Sequence, residues 1–233
     1  MAVASASAIA SITNDEIVVG TALGGQSGGQ SYRLAAFNNA INLGITGPAG
    51  MDVGSSPANG WVAIYAIYDP TTGVSRLLAV NATSAVAPTV YGGANMPAGF
   101  TASALVSVWR TTGAGLFDVG TQQGRIVSTI EVSVLSRLIQ QASFTSLSIS
   151  AAVPPIAKFA AGYMRIGSNS AGDYLGQLSS NTTGIGSTQI GGGYTNASGA
   201  FNLALITAQN IWYAATVTVG TMSASFFITS YTF

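Results

Sequence analysis

The chain has 233 residues, 48% of them hydrophobic but only 6% charged, with seven basic and seven acidic side chains and no cysteine or histidine. Disulfide stapling, thiol catalysis and histidine-based acid–base or metal chemistry are therefore excluded. The seven cations stand singly along the chain, which gives a polyanion such as nucleic acid no patch to bind.

Globular domains carry about 25% charged residues. Here Ser, Thr, Asn, Gln and Gly fill the polar positions. High hydrophobicity with zero net charge is the reverse of a disordered composition. Near-neutrality also favours self-association.

Residues 1–20 form an N-terminal segment, "MAVASASAIASITNDEIVVG", with no cation before Arg33. A secretory signal would carry one early. Strands are predicted at "DEIVVG" and "YRLAAF", on either side of the repeat "GGQSGGQS", which reads as a flexible loop. The next strand, "WVAIYAIY" at 61–68, poses a question. Trp61, Ala63, Tyr65 and Ile67 point one way, Val62, Ile64, Ala66 and Tyr68 the other. Neither face is charged, so both need cover. The expectation is that one face enters the core and the other meets a neighbouring subunit. Val62, Ile64 and Tyr68 are then interface residues, with Tyr65 or Tyr68 buried only in the oligomer. Asp69 opens the turn "DPTTG", which its side chain can cap.

Further strands are predicted at "RLLAVNAT", "ASALVSVWR", "FTSLSIS", "KFAAGYMRIG", "FNLALIT", "WYAATVTVG" and "SASFFITSYTF". Gly- and Pro-rich turns such as "YGGANMPAG", "GSNSAG" and "IGGGYTNASG" separate them. The segment "RIVSTIEVSVLSRLIQQ" fits two patterns. Ile126, Ile130, Val134 and Leu138 recur every four residues, as on a helix. Ile130, Val132 and Val134 alternate with polar residues, as on a strand. β-Branched content favours a strand over 126–135, with a short helix at 135–141 left open. In the last strand, Phe227 and Tyr231 are placed on one face. No run of eighteen apolar residues exists, and membrane insertion is not expected.

Short strands at regular spacing indicate an all-β protein of antiparallel, jelly-roll-like β-sandwich modules. Two in tandem are expected, at 21–130 and 142–233, joined by a connector at 131–141. Residues after Asp173 carry no charge at all.

No catalytic constellation is legible. Asp15 and Glu16 are adjacent, and the other carboxylates are isolated. Lys158, the only lysine, has no serine at a short fixed offset. The serine elbow, the P-loop and the dinucleotide glycine fingerprint are absent. The expectation is a non-catalytic protein without cofactor or metal. Aromatic loop residues beside amides suit the faces and hydroxyls of sugars, and loops on a rigid scaffold commonly bind. Tyr91, Asn95, Tyr174, Tyr194 and Asn196 are the candidate contacts. Each aromatic could equally anchor its own loop.

The run "GMDVGSSPANGWVAIYAIYDPTTG" at 50–73, followed by "MPAGFTASALVSVWRTTGAG" at 96–115, resembles a module of tail fibres and other tail-tip proteins of tailed bacteriophages. The match lies in strand–turn grammar over roughly the first 130 residues. It includes the opening strand "NDEIVVG", and the closing "SASFFITSYTF" is similar to the last strand of such proteins. Asp69 stands where the family more often has Asn. The resemblance implies an all-β, homotrimeric virion protein, made in the bacterial host cytoplasm and placed near the host-recognition end of the tail. It implies other phage tail proteins and a host surface glycan or pilus as partners, and names no catalytic residue. A purely structural baseplate or decoration protein, and a depolymerase using paired carboxylates, are the competing expectations.

Overall fold

The computed structural model describes residues 1–22, 29–193 and 196–233. The protein is all-β, with no helix among the described residues, and its strand pairings are antiparallel. It divides into two compact units, Met1–Arg125 and Ile126–Phe233.

The first unit holds β1 (Ala2–Val3), β2 (Ile9–Gly20), β3 (Ser31–Asn42), β4 (Trp61–Asp69), β5 (Val74–Asn81), β6 (Ala102–Arg110) and β7 (Gly120–Gln123). Residues 1–20 are not a separate segment, because β2 pairs with β3 from Ile9↔Asn42 to Gly20↔Ser31. The main sheet has the order β3-β2-β6-β4-β5. Yet β2 meets β6 only at Gly20↔Ser103. The β2–β3 ladder skips Asp15 and Ala36, and Ala36 has a positive φ of 49°. The register is the same on both sides of this point, so no residue is inserted; the left-handed backbone at Ala36 bends the hairpin, and the inward parity changes across it. Ile12 and Ile17 of β2, and Leu34 and Phe37 of β3, are accordingly all buried despite odd spacings.

That bend answers the question of β4. The hairpin curls over the even-numbered face. The Tyr32 ring lies 5.2 Å from that of Tyr68, and Asn39 donates to the Ser75 hydroxyl at 3.3 Å. The odd-numbered face is covered by the loop after β5. There Tyr65 donates to the Pro88 carbonyl at 2.8 Å, and its ring meets Tyr91 edge-on. Trp61 through Ile67 are all buried within one chain, Val62 and Ile64 to 0% exposure. The expectation that Val62 and Ile64 face a partner subunit is thus corrected: the chain covers both faces itself. Tyr65 is likewise buried without any partner, and Tyr68 is half-buried.

The second unit holds β8 (Ile126–Arg137), β9 (Gln141–Ser148), β10 (Phe159–Ser168), β11 (Tyr174–Ser179), β12 (Thr188–Gly192), β13 (Asn196–Ala204), β14 (Asn210–Val217) and β15 (Met222–Thr232). Residues 131–141 are not a connector. β8 pairs with β15 from Ile126↔Thr232 to Arg137↔Ala224, which also leaves no helix at 135–141. The β-branched residues decided between the two periods.

The strands run in the orders β8-β15-β10-β13 and β12-β11-β14-β9. Between these sheets Tyr213 packs edge-on against Phe226 at 5.7 Å. Met164, Ile166, Leu178, Ile211 and Ile228 complete a buried core. Burying each such side chain contributes roughly 1.5–3 kcal/mol. The Arg137 guanidinium donates to the Tyr213 hydroxyl.

β15 breaks strict alternation. Met222, Ala224, Phe226 and Ile228 are buried, and the next buried residue is Tyr231. Thr229 is the extra residue against β10, and opposite it β8 leaves Thr129, Ile130 and Glu131 unpaired with β15. The expectation that Phe227 and Tyr231 share a face is therefore corrected: Tyr231 enters the core and Phe227 points outward, half-buried.

Candidate functional site

Alternation along β10 sends Met164 and Ile166 into the core and Tyr163, Arg165 and Gly167 to the outer face. Their ladder partners share that face. On β15 these are Phe227, Ser225 and Ser223, and on β13 they are Ala200, Ser198 and Asn196. The bulge at Thr229 keeps Phe227 outward, opposite Tyr163. Their rings stack at 4.8 Å with planes 20° apart. The Arg165 guanidinium carbon lies 5.0 Å from the Tyr163 ring centre and 5.6 Å from that of Phe227. The Tyr163 hydroxyl donates to Glu131, and that bond holds its pKa above the ordinary tyrosine value, with burial adding to it.

Beside Arg165 the sheet carries a groove of about 650 Å³. Gly167, which has no side chain, lies at its floor. Leu138, Arg165, Asn169, Asn196, Ser223 and Ser225 are among its walls. Leu138 is 67% exposed, so the groove has one apolar wall. Ile166 and Met222 add apolar lining, and the polar groups are amides, hydroxyls and one guanidinium. Ordinary ligand sites have volumes of roughly 300–1,000 Å³.

The candidates from the sequence are distributed differently from one another. Asn196 is exposed and joins the groove. Tyr194 lies outside the described residues. Tyr174 is buried at the start of β11, opposite Val217 and Gly192. Tyr91 is also buried; it donates to Asp52 at 2.9 Å and accepts from the Asn95 amide at 3.1 Å. Burial and the Asp52 contact push the Tyr91 hydroxyl up to about 12. Neither Tyr91 nor Tyr174 offers a face for stacking; each anchors its own surroundings. Asn95 is exposed beside Tyr91.

Arg165 was missed. The signal was present in "YMRIG", where Tyr163, Arg165 and Gly167 at i, i+2 and i+4 must share one strand face. Three of the carboxylates are held structurally. Asp69 accepts from Thr71 and Thr72 of its own turn, Glu16 pairs with Arg33, and Asp118 pairs with Arg110. Among the described residues, no group of three or more His, Cys, Asp or Glu side chains could hold a metal.

Comparison with known proteins finds no matching family model and no match among curated proteins.

Proposed function

We propose that the chain is a non-catalytic structural protein of a bacteriophage tail, at the fibre or tip, that attaches the virion to a glycan on the host surface. The observation that carries this reading is the outer face of β10: a stacked aromatic pair and a guanidinium fixed on sheet strands, with amides and hydroxyls around one groove. Sugars present apolar ring faces and rims of hydroxyls, and this set of groups is complementary to both.

The strand orders β8-β15-β10-β13 and β12-β11-β14-β9 support a jelly-roll sandwich for the second unit. That architecture recurs in capsid and lectin domains. The strand–turn grammar of residues 50–115 supports a tail protein, and so a homotrimer of tandem β modules. The Tyr68 edge and exposed apolar side chains such as Ile126, Ile130 and Leu138 are available to such an assembly.

The test is a panel of purified bacterial capsular and O-antigen polysaccharides, with labelled protein binding to the cells that make them. Saturable binding to cells, competed by the purified polysaccharide, is expected. Binding to no cell and no polysaccharide in the panel refutes attachment. Release of reducing ends from a bound polysaccharide would overturn the non-catalytic assignment.

A further inference from the structure

We infer that the glycan held in the β10 groove is acidic, and that Arg165 takes the carboxylate of a sugar acid in its repeating unit. This inference rests on the attachment reading and specifies its ligand.

Arg165 is an exposed cation lying over the Tyr163 and Phe227 rings. Arg33–Glu16 and Arg110–Asp118 are ion pairs of this chain, and Arg165 belongs to neither. The acidic group on the same face, Glu131, receives the Tyr163 hydroxyl instead. The Tyr163–Phe227 stack supports the guanidinium from one side. Contact over aromatic rings restrains a guanidinium without using up its in-plane donors. Arginine has five such N–H groups in a planar fork, which matches a carboxylate with two parallel hydrogen bonds. No carboxylate lines the groove that Arg165 borders. Its other walls fit the rest of a sugar acid. Asn196, Ser223 and Ser225 can exchange hydrogen bonds with hydroxyls, and Leu138 can lie against a ring face.

The composition makes this cation more telling. No residue after Asp173 is charged, so β11 to β15 contribute hydroxyls, amides and apolar groups only. A neutral sugar could be bound by those alone. A cation kept on this face, stacked and unneutralised, adds selectivity for an anion: charge-assisted hydrogen bonds are roughly twice as strong as neutral ones.

The experiment uses the full chain and uronate-containing bacterial capsular polysaccharides, each beside its carboxyl-reduced, neutral form. Titration calorimetry should show binding to at least one uronate polymer and a loss of about tenfold or more on reduction of its carboxyls. Arg165→Gln should lose a similar factor toward the uronate polymer and bind the neutral form as wild type does. Arg165→Lys should recover only part, because it keeps the charge without the fork. Binding of the uronate polymer should weaken with added salt. Because Arg165 is exposed, its variants should melt with the wild type, and that is measured first. The inference is overturned if a polysaccharide binds equally with and without its carboxyls, if Arg165→Gln binds like wild type, or if only phosphate-bearing teichoic acid binds. Those results leave attachment standing, because a glycan is still bound. Binding to no polysaccharide and no cell removes attachment itself, and the acidic ligand with it.

Discussion

Asp69 does the work of a turn rather than of a site. Its carboxylate accepts from the Thr71 amide at 2.9 Å and from the Thr72 hydroxyl at 2.7 Å. These bonds, with that from Thr72 first, hold its pKa below the ordinary value. A lowered folded pKa means the stabilisation is present above the unfolded value of about 4 and is lost as pH falls through the folded one. Thermal melts at pH 7 and pH 3 should therefore show a larger loss for wild type than for Asp69→Asn. Close behind that carboxylate stands Gly99, with φ of +87°; a Cβ there would sit 2.9 Å from Asp69 Oδ2. Gly99→Ala should cost about 1 kcal/mol or more in urea unfolding, from strain and crowding together. Tyr91→Phe should cost about 1 kcal/mol in the same assay, because Asp52 loses a donor and the Asn95 amide an acceptor. At this scale the sequence was informative where chemistry is local. The turn role of Asp69 was visible in "YDPTTG", six residues that carry their own donors. The roles of Tyr91 and Tyr174 were not, because burial depends on partners such as Asp52 and Val217, distant along the chain.

At the scale of the element, β15 is defined by its irregularity. Thr229 bulges from the β10 ladder, β8 bulges opposite it, and Gly162 on β10 faces the distortion. A Cβ at Gly162 would lie 1.9 Å from the Phe227 carbonyl oxygen, so the two backbones approach as only glycine permits. Gly162→Ala should destabilise by about 1–3 kcal/mol and move Phe227 off Tyr163. Urea unfolding checks the first effect and near-ultraviolet circular dichroism the second. Bulges explain what alternation alone could not read. In "SASFFITSYTF" the only trace of the shift is the adjacent polar pair Thr229 and Ser230, and three apolar residues before it blur which face Phe227 takes. Glycine-rich strands were unreadable for a related reason. "IGGGYTNASG" was read as a turn, yet its ends belong to β12 and β13. Gly199 is needed there because a Cβ would lie 2.3 Å from the Ile190 side chain. By contrast β4 and β6, dense in Val, Ile, Tyr and Trp, were placed within a residue of their observed limits. Their propensity and their burial point the same way.

For the whole molecule, the covered faces of β4 change what a mutation there reports. Ile64 has no exposure within a single chain. Ile64→Asp should therefore prevent the first unit from folding instead of releasing folded subunits. Solubility and circular dichroism of the purified variant decide between the two outcomes. Light scattering on the wild type tests the homotrimer independently. Charge has little part in this stability. The Arg33–Glu16 pair has side-chain exposures of 76% and 41%, and solvent screens such surface pairs so that they add little. The wild-type melting temperature should shift by only a few degrees between about 0.05 and 1 M sodium chloride. An all-β composition was legible from turn spacing and strand residues throughout. A limit of the first module near residue 130 was also legible, but the absence of a connector was not, because β8 begins at once after Arg125.

The position of β15 also sets an order of events. It lies between β8 and β10, and Thr232 pairs with both Ile126 and Phe159. A ribosome delivers β8 and β10 long before it delivers their shared neighbour. Until then each exposes a bare edge, and Met164 and Ile166 lack the strand that lies beside them. Contacts this distant along the chain slow folding. The second unit must wait for its final strand, in a state that is open to pairing with the strands of other nascent chains.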